Sequence, residues 1–168
     1  LLGQARARTG CAGRVVRADM RSLPFSGGFG AITLLFTAFG YFDDAGNADC
    51  LRQLRNLLAP GGLVVLDLPN HQHVADTLVP ISTRRTPNGM EVREQRTLSG
   101  GRMEKSVEVL RDGAVRSWRE SVRLYVPAEI AAMAVSSGLR IIDQWPSLHG
   151  SGRNEGRAVH WMKRLPVI

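Results

Sequence analysis

Cysteine is scarce in this chain, and long apolar runs are absent. The two cysteines, Cys11 and Cys50, are too few for a disulfide framework, and their spacing does not suit a zinc site. The longest apolar stretches, residues 31–36 and 63–66, are far shorter than the roughly 20 residues that a membrane helix needs. No signal peptide is recognisable. These absences predict a protein of a reducing, cytoplasmic setting with no membrane span.

Lysine is also rare, although the chain is basic. The formal net charge is +7, yet only two of the 22 basic residues are lysines, and the arginines are scattered along the chain. A nucleic-acid surface usually clusters its basic residues and interleaves them with aromatic ones, which make up only 6% of this sequence. Dispersed arginine is more typical of a solvated surface. Nucleic acid is therefore not an expected partner.

The size and the overall composition indicate one globular domain. A chain of 168 residues and 18.4 kDa is long enough to form a hydrophobic core that is stable without disulfide bonds. With 43% hydrophobic and 22% charged residues, wholesale disorder is excluded. The first residue is not methionine, and residues 1–8 are typical of the second half of a helix. We therefore expect a fragment, with a single domain over residues 1–168.

The first half of the chain has the pattern of a βαβ unit. The β-branched run at residues 14–19 predicts a short strand, and the apolar residues 29–36 predict a strand that is buried on both faces. Asp43 or Asp44 can cap the helix that follows, and a Pro-Gly-Gly sequence ends it before a second apolar strand at 63–68. Such a crossover builds a parallel sheet.

The second half begins with an antiparallel pattern. Glycine-containing turns separate three strands at 90–98, 102–110 and 114–126, which together predict a β-meander. Pro127 is expected to begin a helix that ends at Gly138. Two final strands are predicted at residues 139–145 and 157–163.

Polar and aromatic residues follow the predicted parallel strands, where ligands bind in open α/β sheets. Asp19 can accept a hydrogen bond from an amine or a hydroxyl, Phe36 and Phe39 can cover a flat ring, and Gly40 permits close approach of the backbone. Alternatively, Asp19 caps a turn and the aromatic residues fill the core. The spacing does not decide between these two interpretations.

Several segments in this order resemble the class I S-adenosylmethionine-dependent methyltransferases. The similar segments are residues 17–25, 36–42, 57–67, 124–130 and 137–140, and the resemblance extends over about residues 1–164. It implies an α/β fold with a Rossmann-like, doubly wound and mostly parallel sheet. An inserted antiparallel meander at residues 90–126 would cover the acceptor.

The resemblance also implies roles for individual residues. Ala18, Asp19 and Met20 correspond to the turn that holds the adenine of S-adenosylmethionine, with the Asp19 carboxylate accepting from the adenine amino group. Phe36 corresponds to the residue that borders the methionine moiety, and Thr37 lies next to it. The residues expected near the acceptor are Phe39, Tyr41, Asn70 and Tyr125.

The sequence departs from this family in two places. The glycine-rich G-x-G-x-G turn is absent, and so is the acidic residue that binds the ribose hydroxyls. Both belong to the first two strands of the family, which would precede Leu1 and are missing here. We therefore expect that this chain alone lacks the complete cofactor site and is marginally stable, because a buried strand without its neighbour leaves backbone groups unpaired.

Methyl transfer to a hydroxyl or an amine requires alignment of the acceptor and removal of a proton. His71 is the favoured candidate base, with His73 and Asp67 as weaker ones, and Tyr125 is a second candidate catalytic residue. Two histidines without a third ligand make a poor metal site, so no metal is expected. His160 is expected to be structural.

Three hypotheses about function remain. The leading one is S-adenosylmethionine-dependent methyl transfer to a small-molecule acceptor. The second is a methyltransferase-like domain that has lost catalysis and acts as a binding module or partner subunit. The third is an RNA methyltransferase that uses the arginines. The sequence leaves the oligomeric state open.

Overall fold

A computed structural model of the chain describes residues 15–145 and 156–165, together with Gln4 and Ala7, which are helical. The rest of the helix expected at residues 1–8 lies outside the described residues. Apart from those two residues, the described chain forms two four-stranded sheets and three helices. The elements are β1 (Phe29–Leu34), α1 (Asp44–Leu57), β2 (Leu58–Pro69), α2 (His71–Thr77), β3 (Ile81–Arg85), β4 (Glu91–Ser99), β5 (Arg102–Arg111), β6 (Ala114–Arg123), α3 (Pro127–Ser136), β7 (Leu139–Trp145) and β8 (Arg157–Arg164).

The first sheet has the strand order β1-β2-β8-β7 and is mixed. Strands β1 and β2 are parallel, as the βαβ pattern predicts, whereas β8 runs antiparallel to both β2 and β7. The α/β class is therefore confirmed. The described strands do not confirm a mostly parallel, doubly wound sheet. Strand β8 follows β7 in the chain and pairs directly with it, and two strands connected in this way run antiparallel.

The crossover between β1 and β2 is formed by α1. Asp43 caps this helix, since its side chain accepts a hydrogen bond from the Gly46 backbone N–H at 2.8 Å. The apolar face buries Leu51, Leu54 and Leu57. Leu58 is already extended, so β2 begins five residues earlier than the apolar pattern alone predicts.

Two predictions for the first half are wrong. Residues 15–18 lie outside any strand, and Asp19 makes only an isolated bridge with Ser22. Strand β1 is largely exposed rather than buried on both faces. The reason is that β1 lies at the edge of the described sheet, whereas α1 and α3 pack mainly on β2 and β7.

The second sheet contains the predicted meander. Its order is β3-β4-β5-β6 with antiparallel pairing throughout, and the turns at Gly100–Gly101 and Asp112–Gly113 have the positive φ angles that glycine permits. Strand β3 was not predicted, because its arginine-rich sequence lacks an apolar alternation. Helix α2, only seven residues long, was also missed.

The main core lies between the first sheet and the helices α1 and α3, which pack against each other. Leu51, Ile130, Leu139 and Met162 are fully buried there. Helix α3 begins at Pro127 and is followed by Gly138 with a φ of 75°, as predicted. Within the described part of the chain, no helix combines the length and the apolar character needed to cross a membrane.

His160 gives this sheet a measurable dependence on pH. It is 2% exposed on β8, and its Nδ1 lies 3.0 Å from the Gln144 amide nitrogen. Burial lowers the pKa of His160 from 6.5 to about 4. Between these two values the unfolded chain binds more protons than the folded one, so the free energy of unfolding falls as the pH drops through this range.

We predict that acidification from pH 7 to 4.5 removes about 2 kcal/mol of stability through this histidine. The variant His160→Gln should lack that contribution. The difference in the free energy of unfolding between the variant and the original protein should therefore shrink towards low pH. Urea unfolding at several pH values measures this. Parallel stability profiles for the two proteins would contradict the prediction.

Candidate active site

A strained turn follows β1, at the edge of the sheet where the carboxyl ends of β1 and β2 meet. Phe36 and Thr37 have φ angles of 57° and 62°, which non-glycine residues rarely adopt. Each costs on the order of 1 kcal/mol or more. The turn is held by Asp67, whose carboxylate Oδ2 accepts from the Phe36 N–H at 2.7 Å and whose backbone oxygen accepts from the Thr37 N–H at 3.2 Å.

Asp67 is itself held by Arg157, at the start of β8. The Asp67 side chain is fully buried, and both of its oxygens lie 2.6 Å from the Arg157 guanidinium, one from Nε and the other from Nη2. Arg157 also donates to the Thr37 hydroxyl at 2.9 Å and to the Asp67 backbone oxygen at 3.2 Å. One ion pair therefore links the ends of β1, β2 and β8. Asp67 is occupied as a structural anion, which argues against its weaker assignment as a base.

The turn leaves Phe36 uncovered. Its side chain is 81% exposed, although the residue follows an apolar strand. Thr37 is half-buried, with its hydroxyl oriented by Arg157. The predicted cofactor residues Phe36 and Thr37 thus share one rigid turn. The Phe36 ring is accessible to a ligand at the carboxyl ends of β1 and β2.

The other three predicted cofactor residues, Ala18, Asp19 and Met20, line one open cleft of about 560 Å³, together with Arg17 and Phe42. The sequence hypothesis assigned these three residues to one turn, and in the structure all three line the same concave surface.

Asp19 is engaged by its neighbour Arg21. Its Oδ1 accepts from the Arg21 backbone N–H at 2.9 Å, and its Oδ2 lies 2.8 Å from the Arg21 guanidinium. These hydrogen bonds lower the pKa of Asp19 to about 2. The turn-capping interpretation of Asp19 is therefore correct. The exposed carboxylate is also an ionised acceptor with further lone pairs, so the predicted contact with an adenine amino group stays a prediction.

The loop from Gly40 to Phe42 lies between β1 and α1 and is hydrogen-bonded to the second sheet. Gly40 has a φ of 102°, and a Cβ atom there would lie 3.0 Å from the Arg123 carbonyl oxygen, so glycine is required. The Arg102 guanidinium donates to the backbone oxygens of Phe42 at 3.0 Å, Gly40 at 3.3 Å and Tyr41 at 3.4 Å. This arginine of β5 therefore sets the position of Tyr41, a predicted acceptor residue that is 46% exposed.

Two predicted site residues lie in the core instead. Phe39 is 1% exposed, and its ring packs 6.0 Å from the ring of Tyr125, so little of its surface is available to an acceptor. The Tyr125 hydroxyl donates to Asp44 at 2.8 Å and accepts from the Asn47 amide at 2.9 Å. Burial and the Asp44 carboxylate raise the pKa of Tyr125 far above its usual value. Its assignment as a catalytic residue is not supported, because the hydroxyl is already paired.

Helix α2 carries the predicted histidines. Asn70 caps this helix through its side-chain oxygen, which accepts from the His73 N–H at 3.0 Å, so the predicted acceptor residue Asn70 also has a structural role. The His73 ring lies against Gly156, where a Cβ atom would come within 2.7 Å of its Cδ2. His71 is half-buried, and its ring makes no hydrogen bond within the described residues. Of the two, His71 has the freer ring.

Across the residues that the structure describes, no three His, Cys, Asp or Glu side chains are grouped as metal ligands. The sequence interpretation missed Arg157 and Arg102, the two arginines that organise the turn and the loop. No local pattern identifies them, since Arg157 lies 90 residues from Asp67 and Arg102 about 60 residues from the carbonyls that it binds.

We predict that Arg157→Met destabilises the protein by about 3 kcal/mol, because it leaves the buried Asp67 carboxylate without its partner. In an Asp67→Asn background the same change should cost much less, since no buried charge remains. The control is Arg93→Met, which removes the exposed pair with Glu91 and should change stability by no more than about 0.5 kcal/mol. Chemical denaturation measures all four variants; equal losses for Arg157→Met and Arg93→Met would contradict the assignment.

Comparison with known proteins gives matches at the level of structure. No protein-family model matches the sequence, and no curated protein matches it. An S-adenosylmethionine-dependent methyltransferase from Clostridium acetobutylicum ATCC 824 superposes with a TM-score of 0.84 at 15% identity, covering 98% of this chain and 70% of that protein. The CcbJ methyltransferase from Streptomyces caelestis gives a TM-score of 0.76 at 20% identity, covering 90% of this chain and 63% of CcbJ.

A third similar structure is CalS10 from Micromonospora echinaspora, described as an amino pentose methyltransferase with S-adenosylmethionine bound. It gives a TM-score of 0.65 at 23% identity, covering 97% of this chain and 69% of CalS10. The chain thus spans between about six and seven tenths of the length of these proteins. At these identities the likeness is one of fold, and it extends over both sheets. The chain therefore has the α/β fold of class I S-adenosylmethionine-dependent methyltransferases.

Proposed function

We propose that the protein to which this chain belongs transfers a methyl group from S-adenosylmethionine to a small-molecule acceptor. The observation that carries the proposal is the cleft lined by Ala18, Asp19 and Met20, the residues that the family resemblance assigns to the adenine. The shared fold supports it. The scarcity of cysteine further supports a reducing, cytoplasmic setting.

The chemistry of the cleft fits part of this cofactor. The ionised Asp19 carboxylate can accept a hydrogen bond from an exocyclic amine, while Met20 and Phe42 offer apolar surface to a flat ring. At the strand ends, the exposed Phe36 ring would border the methionine moiety, with Thr37 beside it. The ribose-binding acid and the glycine-rich turn of the family have no counterpart in residues 1–168, so these residues form an incomplete cofactor site.

The chain itself would orient the acceptor and accept its proton. When bound, the cofactor supplies the methyl group and its own leaving group. The turn at Phe36 and Thr37 is made rigid by Asp67 and Arg157, and such rigidity favours alignment of the reacting atoms. We assign the proton to a ring nitrogen of His71, which follows the end of β2 at the same edge.

The acceptor is proposed to be compact. The second sheet, tied to the Gly40–Phe42 loop by Arg102, would cover it and leave little room for a polymer. Similar structures include CalS10 and KedS8, which are described as acting on an amino pentose and on a sugar nitrogen. A sugar amine is therefore a reasonable first class to screen. The alternative of an inactive binding module is less favoured, because the similar structures are described as methyltransferases.

The first test concerns the cofactor. In the protein expressed from its natural start codon, Phe36→Asp should abolish binding of S-adenosylhomocysteine, because it places a charge against an apolar part of the ligand. Since Phe36 is 81% exposed, folding should not suffer. The control is Val135→Asp, a change at a 63% exposed residue of α3 that should leave the affinity unchanged. Calorimetric titration decides; an unaltered affinity of Phe36→Asp would remove this residue from the site.

The second test concerns the base. We expect His71→Gln to lower kcat about 100-fold or more while the affinity for S-adenosylhomocysteine is retained, since general-base catalysis contributes on this order. His73→Gln should keep most of the activity, because that ring packs against Gly156. Transfer of a labelled methyl group to an amino sugar measures the rates. Equal effects of the two substitutions would show that His71 is not the base.

A further inference from the structure

The outer edge of β6 is long and regular, and no described strand pairs with it. The strand runs from Ala114 to Arg123, and β5 is its one neighbour among the described strands. It contains no proline, and its register with β5 has no bulge, whereas both β1 and β7 have irregular registers. Strand β3, at the opposite edge of the same sheet, is only five residues long and follows Pro80. Proteins usually protect edges by shortening, proline, bulges, charged side chains or a covering loop. Strand β6 has charged side chains and, at its Arg123 end, the Gly40 loop, but it is neither shortened nor interrupted by proline or a bulge.

Backbone hydrogen bonds show which groups of β6 point to the free edge. The Leu124 N–H donates to the Gly101 oxygen on the β5 side, whereas the preceding Arg123 N–H donates to the Gly40 oxygen on the other side. Because neighbouring residues of an antiparallel strand alternate in this respect, Val115, Ser117, Arg119 and Ser121 direct their N–H and C=O groups to the free edge. One of these groups, the Ser121 oxygen, already accepts from Arg102 at 3.0 Å.

The free stretch has well-defined limits. At one end Gly40 occupies the edge beside Arg123, and at the other end the chain turns away at Asp112–Gly113. Trp118 lies midway between Gly113 and Arg123, five positions from each. In an antiparallel pair centred on Trp118, Gly113 of one copy lies opposite Arg123 of the other. The second copy therefore turns away from the strand at the position where Gly40 blocks the edge.

The charges are compatible with the same centre and disfavour the two centres that follow it in the strand. With Trp118 opposite Trp118, Arg116 lies opposite Glu120 of the second copy, and the reverse pair forms on the other side of the axis. A centre at Arg119 would instead place two arginines opposite each other, and a centre at Glu120 two carboxylates. The Trp118 register also places Ser117 opposite Arg119, so that two residues whose N–H and C=O groups point to the free edge lie opposite each other.

The side chains on this face would continue a pattern that is already present. Glu94, Lys105 and Glu120 alternate in sign across β4, β5 and β6, with Lys105 3.1 Å from Glu94 and 3.7 Å from Glu120. Arg116 of a second copy would be the next member of this row. Trp118 is 46% exposed beside the buried Val107, so pairing would also cover apolar surface.

We propose that β6 pairs with β6 of a second copy of this chain, antiparallel and with a two-fold axis at Trp118, to join the two second sheets into one of eight strands. This contact is isologous, so it closes at a dimer. The proposal does not depend on the enzymatic activity.

Sedimentation analysis across micromolar concentrations should show the full protein as a dimer. Arg116→Glu and Glu120→Arg, each alone, create two like-charge pairs across the axis and should weaken the dimer about tenfold or more. An equimolar mixture of these two variants should dimerise like the original protein, because each mixed dimer has opposite charges at both positions. Arg119→Glu is the matched control, since Arg119 lies opposite Ser117, and it should leave association unchanged.

Ser117→Pro provides a second test, because it removes an N–H that points to the free edge and spares the bonds to β5. This variant should be monomeric with an unchanged circular dichroism spectrum. A monomeric original protein, a mixture that does not reassociate, or a Ser117→Pro variant that stays dimeric would each overturn the proposal.

Discussion

The ion pair between Asp67 and Arg157 is the interaction on which the candidate site depends. It is buried at the point where β1, β2 and β8 end, and through the Asp67 oxygens it holds two residues in a backbone conformation that they would not adopt alone. That conformation turns the chain sharply and leaves Phe36 exposed. The ion pair at the ends of these strands is thus the reason that the Phe36 ring is exposed.

Arginine has the corresponding role between the two sheets. Arg102 donates to three successive backbone oxygens of the Gly40–Phe42 loop, and Arg123 pairs with Glu129 at 2.6 Å while its guanidinium lies 4.9 Å from the Tyr125 ring centre. The planar guanidinium, with several donors in fixed directions, suits such sites better than lysine does. Several arginines of this arginine-rich, lysine-poor chain thus bind backbone oxygens and carboxylates of the protein itself.

Local patterns were sufficient for most of the elements. The Asp43 cap, the leucine face of α1, the glycine turns of the meander and Pro127 all act over a few residues, and the elements that they define are present. Sequence patterns gave wrong predictions where the formation or burial of a strand depends on the elements that pack against it. Residues 15–18 have strand-forming side chains but lie outside any strand, and β1 is apolar yet exposed, because burial depends on what packs against an element.

The sequence by itself therefore determined the α/β class, the order of most of the elements and the residues near the strand ends, because hydrophobic periodicity and turn residues are local properties. Tertiary structure alone decided which of those residues are accessible. It buried Phe39 and Tyr125, and it brought Arg157 to Asp67 across 90 residues. No spacing rule reaches that far, since such contacts arise only when strands that are distant in sequence become neighbours in a sheet.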